Sequence, residues 1–166
     1  TCMKQKFKIA LAQISCKLGD KTGNLGKIER AAKRAKQQGA ELLVLPEMSL
    51  TGYVVRDQLF DLAEQVPGPS TKLVEKISEQ TGVHIIFGMP EISANTQATL
   101  HNTAVLVSPK GYVGKYRKMY LPTHSVFEEK RYFRPGYAPA VFNTDLGRIG
   151  LIICYDLYFP EVVRLA

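Results

Sequence analysis

Residues 149–153 (Ile-Gly-Leu-Ile-Ile) form an almost unbroken apolar run that ends on Cys154. Such a run predicts a strand buried on both faces, the kind found inside an α/β sheet. Tyr155 and Asp156 break the pattern, and Pro160 with Glu161 opens a segment carrying Val162, Val163 and Leu165. Proline at the first helical position and an acid in the first turn are helix-start signals. The cysteine therefore stands on a strand-to-helix turn, where the partial positive charge of a helix N-terminus and free backbone N–H groups favour thiolate. The competing reading is an inert core thiol, because free cysteine is among the most buried residue types.

Two other stretches place reactive side chains at equivalent points. Residues 41–45 (Glu-Leu-Leu-Val-Leu) predict a second buried strand, and Pro46-Glu47 puts a carboxylate where the chain leaves the sheet. Residues 113–118 predict a third, running into Lys118-Met119-Tyr120-Leu121-Pro122. Taken singly, Glu47 would cap a following turn and Lys118 would be a solvated edge residue. Together, a Glu, a Lys and a Cys at strand ends occupy the part of an open α/β sheet where ligand crevices form.

These segments resemble the carbon–nitrogen hydrolase, or nitrilase, superfamily. Leu45-Pro46-Glu47 with Thr51-Gly52-Tyr53 matches its Glu motif, and Arg117-Lys118 before Leu121-Pro122 its Lys motif. Ile153-Cys154-Tyr155-Asp156 with Phe159-Pro160-Glu161 matches its Cys motif. The likeness runs from about Phe7 to the last residue. It implies an α/β fold, the four-layer αββα sandwich of the nitrilase type. It also implies a catalytic set of Glu47 as base, Lys118 as oxyanion partner and Cys154 as nucleophile, supported by Glu129, with no cofactor and no metal. Tyr53, His124 and the backbone N–H of Tyr155 are the expected substrate-binding groups, the last as part of an oxyanion hole.

The implied reaction is hydrolysis of a small non-peptide amide or N-carbamoyl compound through a Cys thioester. Tyr155-Asp156 resembles the amidase and carbamoylase branches, whereas true nitrilases usually carry Trp-Glu there. Residues 127–136 and 50–53 also resemble glutaminase domains that supply ammonia to synthetases. A Cys–His hydrolase using His124 and a non-catalytic binding module of the same fold are the remaining alternatives. Family members typically continue well past the Cys motif, so the chain is expected to be truncated at its C-terminus and, in its complete form, to be a homo-oligomer. The apolar side chains Val162, Val163 and Leu165 are then expected to lack their packing partners.

Composition narrows the class further. In 166 residues, 45% are hydrophobic and 22% charged, as in an ordinary globular chain. No apolar run approaches the roughly 20 residues a membrane helix needs, and no signal-peptide core follows the N-terminal lysines, so a cytoplasmic location is expected. The three cysteines, Cys2, Cys16 and Cys154, are odd in number and lack metal-ligand spacing, which argues against a disulfide framework or a zinc site and leaves Cys2 and Cys16 as bystanders. The net charge of +7 is concentrated in a tail (Lys4, Lys6, Lys8) and on one helix (Lys27, Arg30, Lys33, Arg34, Lys36), the pattern of solvated faces and not of a nucleic-acid partner. His84 is expected to be a hydrogen-bonded core residue, and His101 to start a strand with no partner in view.

Along the chain, residues 7–14 predict the first strand and residues 25–38 a helix with apolar positions at Leu25, Ile28, Ala31, Ala32 and Ala35, stopped by Gly39. Residues 54–65 are ambiguous. Ser70 is the expected N-cap of a second helix ended by Gly82, followed by a strand over residues 83–87. Residues 100–107 and 113–118 flank the turn Pro109-Lys110-Gly111, and residues 140–142 meet residues 148–153 across a second turn. The whole reads as one domain, residues 1–166, with a mixed sheet.

Overall fold

The structure, a computed structural model, describes residues 6–96, 98–125 and 127–166. Cys2 and Lys4 lie outside the described residues.

Five strands form one mixed sheet in the order β1 (Ile9–Leu11), β2 (Leu42–Val44), β3 (His84–Ile92), β4 (Leu100–Ser108) and β5 (Gly111–Arg117). β1, β2 and β3 run parallel, and β3, β4 and β5 are joined antiparallel. The parallel pairs need crossovers, and helices supply them. Helix α1 (Lys21–Gln37) links β1 to β2, and helix α3 (Pro69–Thr81) precedes β3. A second, two-stranded antiparallel sheet is formed by β6 (Ala140–Thr144) and β7 (Gly147–Leu151).

Strand periodicity builds the layers. Leu43, Ile85, Phe87 and Val105 point to the side of Ile28, Ala32 and Val74 on the helices. Their neighbours Leu42, Ala104, Leu106 and Tyr116 point to the opposite side and meet Leu151 of the second sheet and Ile153 just past its end. Both faces of β4 are therefore covered, and every one of its residues is buried. Each fully buried Leu, Ile, Val or Phe is worth roughly 1.5–3 kcal/mol relative to exposure. The helices, the five-stranded sheet and the β6–β7 pair are three successive layers. Helix α5 (Pro160–Leu165) begins a fourth: the face of β7 turned away from the core carries Gly150, where a Cβ would collide with the Ala166 carbonyl.

Local chemistry moved several predicted boundaries. The first strand is Ile9–Leu11, shorter than residues 7–14. Helix α1 starts four residues earlier than predicted because Asp20 caps it, Oδ1 accepting from Gly23 N at 2.8 Å. Ser70 is not the cap of α3; Gly68 is, with Pro69 at the first helical position. Glu64 fills the capping role from outside, accepting from Ser70 N at 2.8 Å and from Ser70 Oγ at 2.7 Å. The ambiguous stretch holds a 3-10 turn (Arg56–Gln58), a short helix α2 (Leu59–Leu62) and a bridge from Glu64 to Glu91. β3 extends to Ile92, well past residue 87.

The run before Cys154 departs most from expectation. β7 ends at Leu151, and its pattern alternates, with Arg148 and Gly150 exposed and Ile149 and Leu151 turned inward. Its inner face is covered, while Arg148 and Gly150 on the outer face stay exposed beside the end of α5. Val162 is buried, contrary to the expectation of an uncovered segment, while Val163 and Leu165 are 42% and 62% exposed. The basic stretch at residues 115–118 does not face solvent as a cationic patch. Arg117 makes two bonds to the buried Glu91 (Nε to Oε2 2.9 Å, Nη2 to Oε1 2.6 Å), and Lys115 Nζ reaches Glu91 Oε1 at 2.6 Å. Among the described residues, no helix is long and apolar enough to cross a membrane.

Candidate active site

Glu47 lies three residues past the end of β2, in a tight turn where Ser49 N donates to Pro46 O and Gly52 N donates to Met48 O. Met48 takes φ +55°, a left-handed conformation that costs a non-glycine residue energy. The turn is pressed onto β3 by Gly88, whose N donates to Ser49 Oγ and whose O accepts from Leu50 N. A Cβ at Gly88 would overlap Met48 N and sit 3.1 Å from Glu47 Cα and 3.0 Å from its carbonyl carbon. Gly88→Ala should therefore lower stability by about 1–3 kcal/mol through overpacking and displace Glu47. A thermal melt beside a turnover assay checks this; an unchanged melting temperature would show that the turn yields freely.

Lys118 directly follows β5, with its backbone pinned on both sides: its N donates to Asn102 O and its O accepts from Gly136 N, each at 2.9 Å. The side chain has no solvent exposure, and Nζ donates to Glu47 Oε1 at 2.8 Å and to Glu129 Oε1 at 2.7 Å. Burial alone would lower the lysine's pKa, but the two carboxylates outweigh it and hold it above the ordinary value, so the ammonium is retained. Glu129 is the first residue of helix α4 (Glu129–Tyr132) and is buried. Burial pushes its carboxyl up, against the pull of Lys118 and of the Tyr53 hydroxyl that donates to Oε1 at 2.6 Å.

Cys154 opens a 3-10 turn (Cys154–Tyr158) between β7 and α5, with φ +46°. It is exposed, so it is not an inert core thiol, whereas Cys16 is half-buried against the Ile14 carbonyl. The expectation that the turn favours thiolate is not met. Burial and then the charge of Glu47 raise the Cys154 pKa, and Lys118 only partly offsets them. These influences favour the protonated thiol, with the Glu47 carboxylate as the neighbouring anion. Two variants should move it in opposite directions. Glu47→Gln removes an anion and lowers the pH midpoint for alkylation of Cys154; Lys118→Ala removes a cation and raises it. Iodoacetamide labelling as a function of pH reads both, and equal shifts in one direction would contradict the arrangement.

The structure thus brings Glu47, Lys118, Glu129 and Cys154 together. Tyr53 stands beside this group, its hydroxyl donating to Glu129 Oε1. His124 is exposed, with its ring 5.8 Å from Phe127 and 5.5 Å from Tyr155 between centroids. It lines a cleft of about 570 Å³ with Tyr120, Phe133, Arg134, Tyr155 and Phe159, and this cleft adjoins the Cys154 turn. The Tyr155 N–H lies in the first turn of the 3-10 segment, where a helical N–H has no intrahelical acceptor. His84 is buried and bonded to Asp145 Oδ1 at 3.0 Å, as expected. His101 does have a partner, the Arg134 carbonyl 2.8 Å from Nδ1.

Asn102 was not singled out from the sequence. It is buried in β4 and donates through Nδ2 to Glu47 Oε1 at 2.6 Å, so one residue holds the Glu47 side chain and the Lys118 backbone. The signal was present: His101-Asn102-Thr103 is a polar interruption in an otherwise apolar strand, and a buried polar group needs a partner.

The fold and site define a mixed α/β sandwich in which two carboxylates, a buried lysine and an exposed cysteine converge at strand ends. The chain belongs to the carbon-nitrogen hydrolase family, whose profile matches residues 8–166. It is 37% identical over 161 residues to a nitrilase of Pyrococcus abyssi, covering 95% of this chain and 59% of that protein. It is 32% identical over 160 residues to a glutamine-dependent NAD(+) synthetase of Acinetobacter baylyi, covering 96% of this chain and 29% of that protein. The crystal structure of an amidase from Nesterenkonia sp. superposes with a TM-score of 0.82 at 30% identity, over 96% of this chain and 60% of that one. The chain thus spans about three fifths of the length of the nitrilase and the amidase and less than a third of the synthetase.

Proposed function

We propose that the protein is a thiol amidohydrolase that cleaves the C–N bond of a small non-peptide amide or N-carbamoyl compound. The observation that carries this reading is the fully buried Lys118 ammonium held between Glu47 and Glu129 beside an exposed Cys154. Amide carbons are poor electrophiles and need a strong nucleophile, a base and a positive group where negative charge develops. Glu47 takes the Sγ proton as sulfur bonds to the carbonyl carbon, and Lys118 with the Tyr155 N–H receives the oxyanion. The tetrahedral intermediate collapses by breaking C–N, and the nitrogen leaves as ammonia or an amine with the proton returned by Glu47. Glu47 then takes a proton from water, whose oxygen adds to the thioester. Breaking C–S releases the acid, and the sulfur regains its proton.

The alternatives are weighed by what surrounds the sulfur. Glu47, Lys118 and Glu129 are the charged groups that act on Cys154, while the His124 ring packs on aromatics, which favours the Glu–Lys–Cys set over a Cys–His pair. Likeness to the synthetase over nearly the whole chain keeps a glutaminase as the second reading. Another neighbour, a variant of the Nesterenkonia amidase, carries acrylamide added at its active-site cysteine, which supports a reactive thiol here. A homo-oligomer is the proposed assembly, supported by exposed Leu157, Tyr158 and Leu165 beside the site turn. The deciding experiment is turnover of small amides, N-carbamoyl compounds and glutamine by the full-length protein. Activity confined to glutamine selects the second reading, and inactivity on every compound would leave a binding module.

A further inference from the structure

We propose that Asp156 is a positioning residue that keeps the Cys154 turn in register with Lys118. Its carboxylate has no solvent exposure and accepts three hydrogen bonds. Oδ2 takes the N–H of Ile153 at 3.0 Å and the hydroxyl of Tyr116 at 2.7 Å; Oδ1 takes the N–H of Tyr120 at 2.9 Å. Ile153 immediately precedes Cys154, and Tyr116 and Tyr120 flank Lys118 two residues to either side. One buried group therefore spans the two segments that carry the nucleophile and the ammonium. A second tie runs parallel to it, since the Tyr120 ring stacks on Phe159 at 3.5 Å between centroids.

Two physical reasons make the carboxylate more than filler. Burying an anion is costly, and here three donors and no cation compensate it among the described residues, an arrangement that fixes position in three directions. The left-handed conformation of Cys154 also persists only where surrounding structure over-determines it. Tyr116 is buried, and burial together with Asp156 pushes its phenol well above the ordinary value, so it stays a donor across the working pH range. Asp156 touches no reacting atom in this arrangement and acts through the placement of sulfur against Nζ.

This inference rests on the proposed roles of Cys154 and Lys118. Its test uses the full-length protein with Asp156→Asn, Tyr116→Phe and the double variant, assayed on whichever small amide the wild type turns over, below every variant's melting temperature. Asp156→Asn should lower kcat roughly 10²-fold, the penalty for misplacing a reacting group by about an ångström. Iodoacetamide labelling of Cys154 should stay within a few-fold of wild type, because alkylation needs access and thiolate but not alignment with Lys118. Tyr116→Phe keeps the buried ring and should cost kcat about fivefold, the loss of one hydrogen bond. The double variant should be no worse than Asp156→Asn, since Tyr116 acts through that carboxylate. Wild-type kcat in folded Asp156→Asn, or losses that multiply in the double variant, overturns the inference. Should Asp156→Asn not fold, Tyr116→Phe alone decides, and wild-type kcat there overturns it as well. A Cys154→Ala protein that still turns over would instead remove the reading on which the inference stands.

Discussion

Cys154→Ala is expected to lower kcat by on the order of 10⁴ to 10⁶, the scale on which loss of a covalent nucleophile acts in other hydrolases. The thiol is exposed at the mouth of a strand-to-helix turn beside the charge of Glu47, and among the described residues the other free thiol is the half-buried Cys16. Cys16 lies against the Ile14 carbonyl and is less accessible than Cys154. Intact-mass analysis after a slow substrate should find the acyl group on the peptide holding Cys154 and nowhere else. Labelling of Cys16 with loss of activity would reassign the nucleophile.

Lys118→Ala should cost roughly 10² to 10³ in kcat with a smaller change in KM, because the ammonium meets a charge that exists in the transition state and not in the ground-state carbonyl. The same change leaves Glu47 and Glu129 as neighbouring anions with nothing between them. Breaking a buried ion pair in this way typically costs about 3–5 kcal/mol, so circular dichroism must accompany the kinetics. Lys118→Arg should not rescue turnover. Nζ fits between two carboxylate oxygens at 2.8 and 2.7 Å with no exposed surface, a space shaped for a point charge and too small for a planar guanidinium. His124→Ala serves as the contrast and should chiefly change KM, since its ring lines the neighbouring cleft. Near wild-type kcat in Lys118→Ala with abolished turnover in His124→Ala would replace the Glu–Lys–Cys mechanism by a Cys–His one.

Much of this arrangement was legible in the chain because it is local. Pro46-Glu47, Arg117-Lys118 and Cys154-Tyr155 each follow a run whose periodicity marks a strand, and strand ends in such sheets gather at a crevice. The turn at Pro109-Lys110-Gly111, the helical stop at Gly39 and the left-handed Gly82 were readable for the same reason: each is set by residues within a few positions. Capping was less legible where the cap came from afar. Asp20 lies next to its helix, but Glu64 reaches α3 across a turn, and nothing in the local pattern around Ser70 announces it.

Propensity and apolar period act over one strand or one turn, and they suffice to say which side chains leave the sheet and on what kind of element. Tertiary structure alone decided their electrostatics. That Lys118 loses all contact with water, that the Cys154 pKa is raised where a helix terminus would lower it, and that Tyr53 bonds to Glu129 follow from groups far apart in the chain, 76 positions in the case of Tyr53 and Glu129. Asn102 and Asp156 belong to the same class. Each is an isolated polar residue until β2, β4, β5 and the Cys154 turn are packed together, when burial obliges its polar atoms to find partners and the partners turn out to lie on the segments that carry Glu47, Lys118 and Cys154.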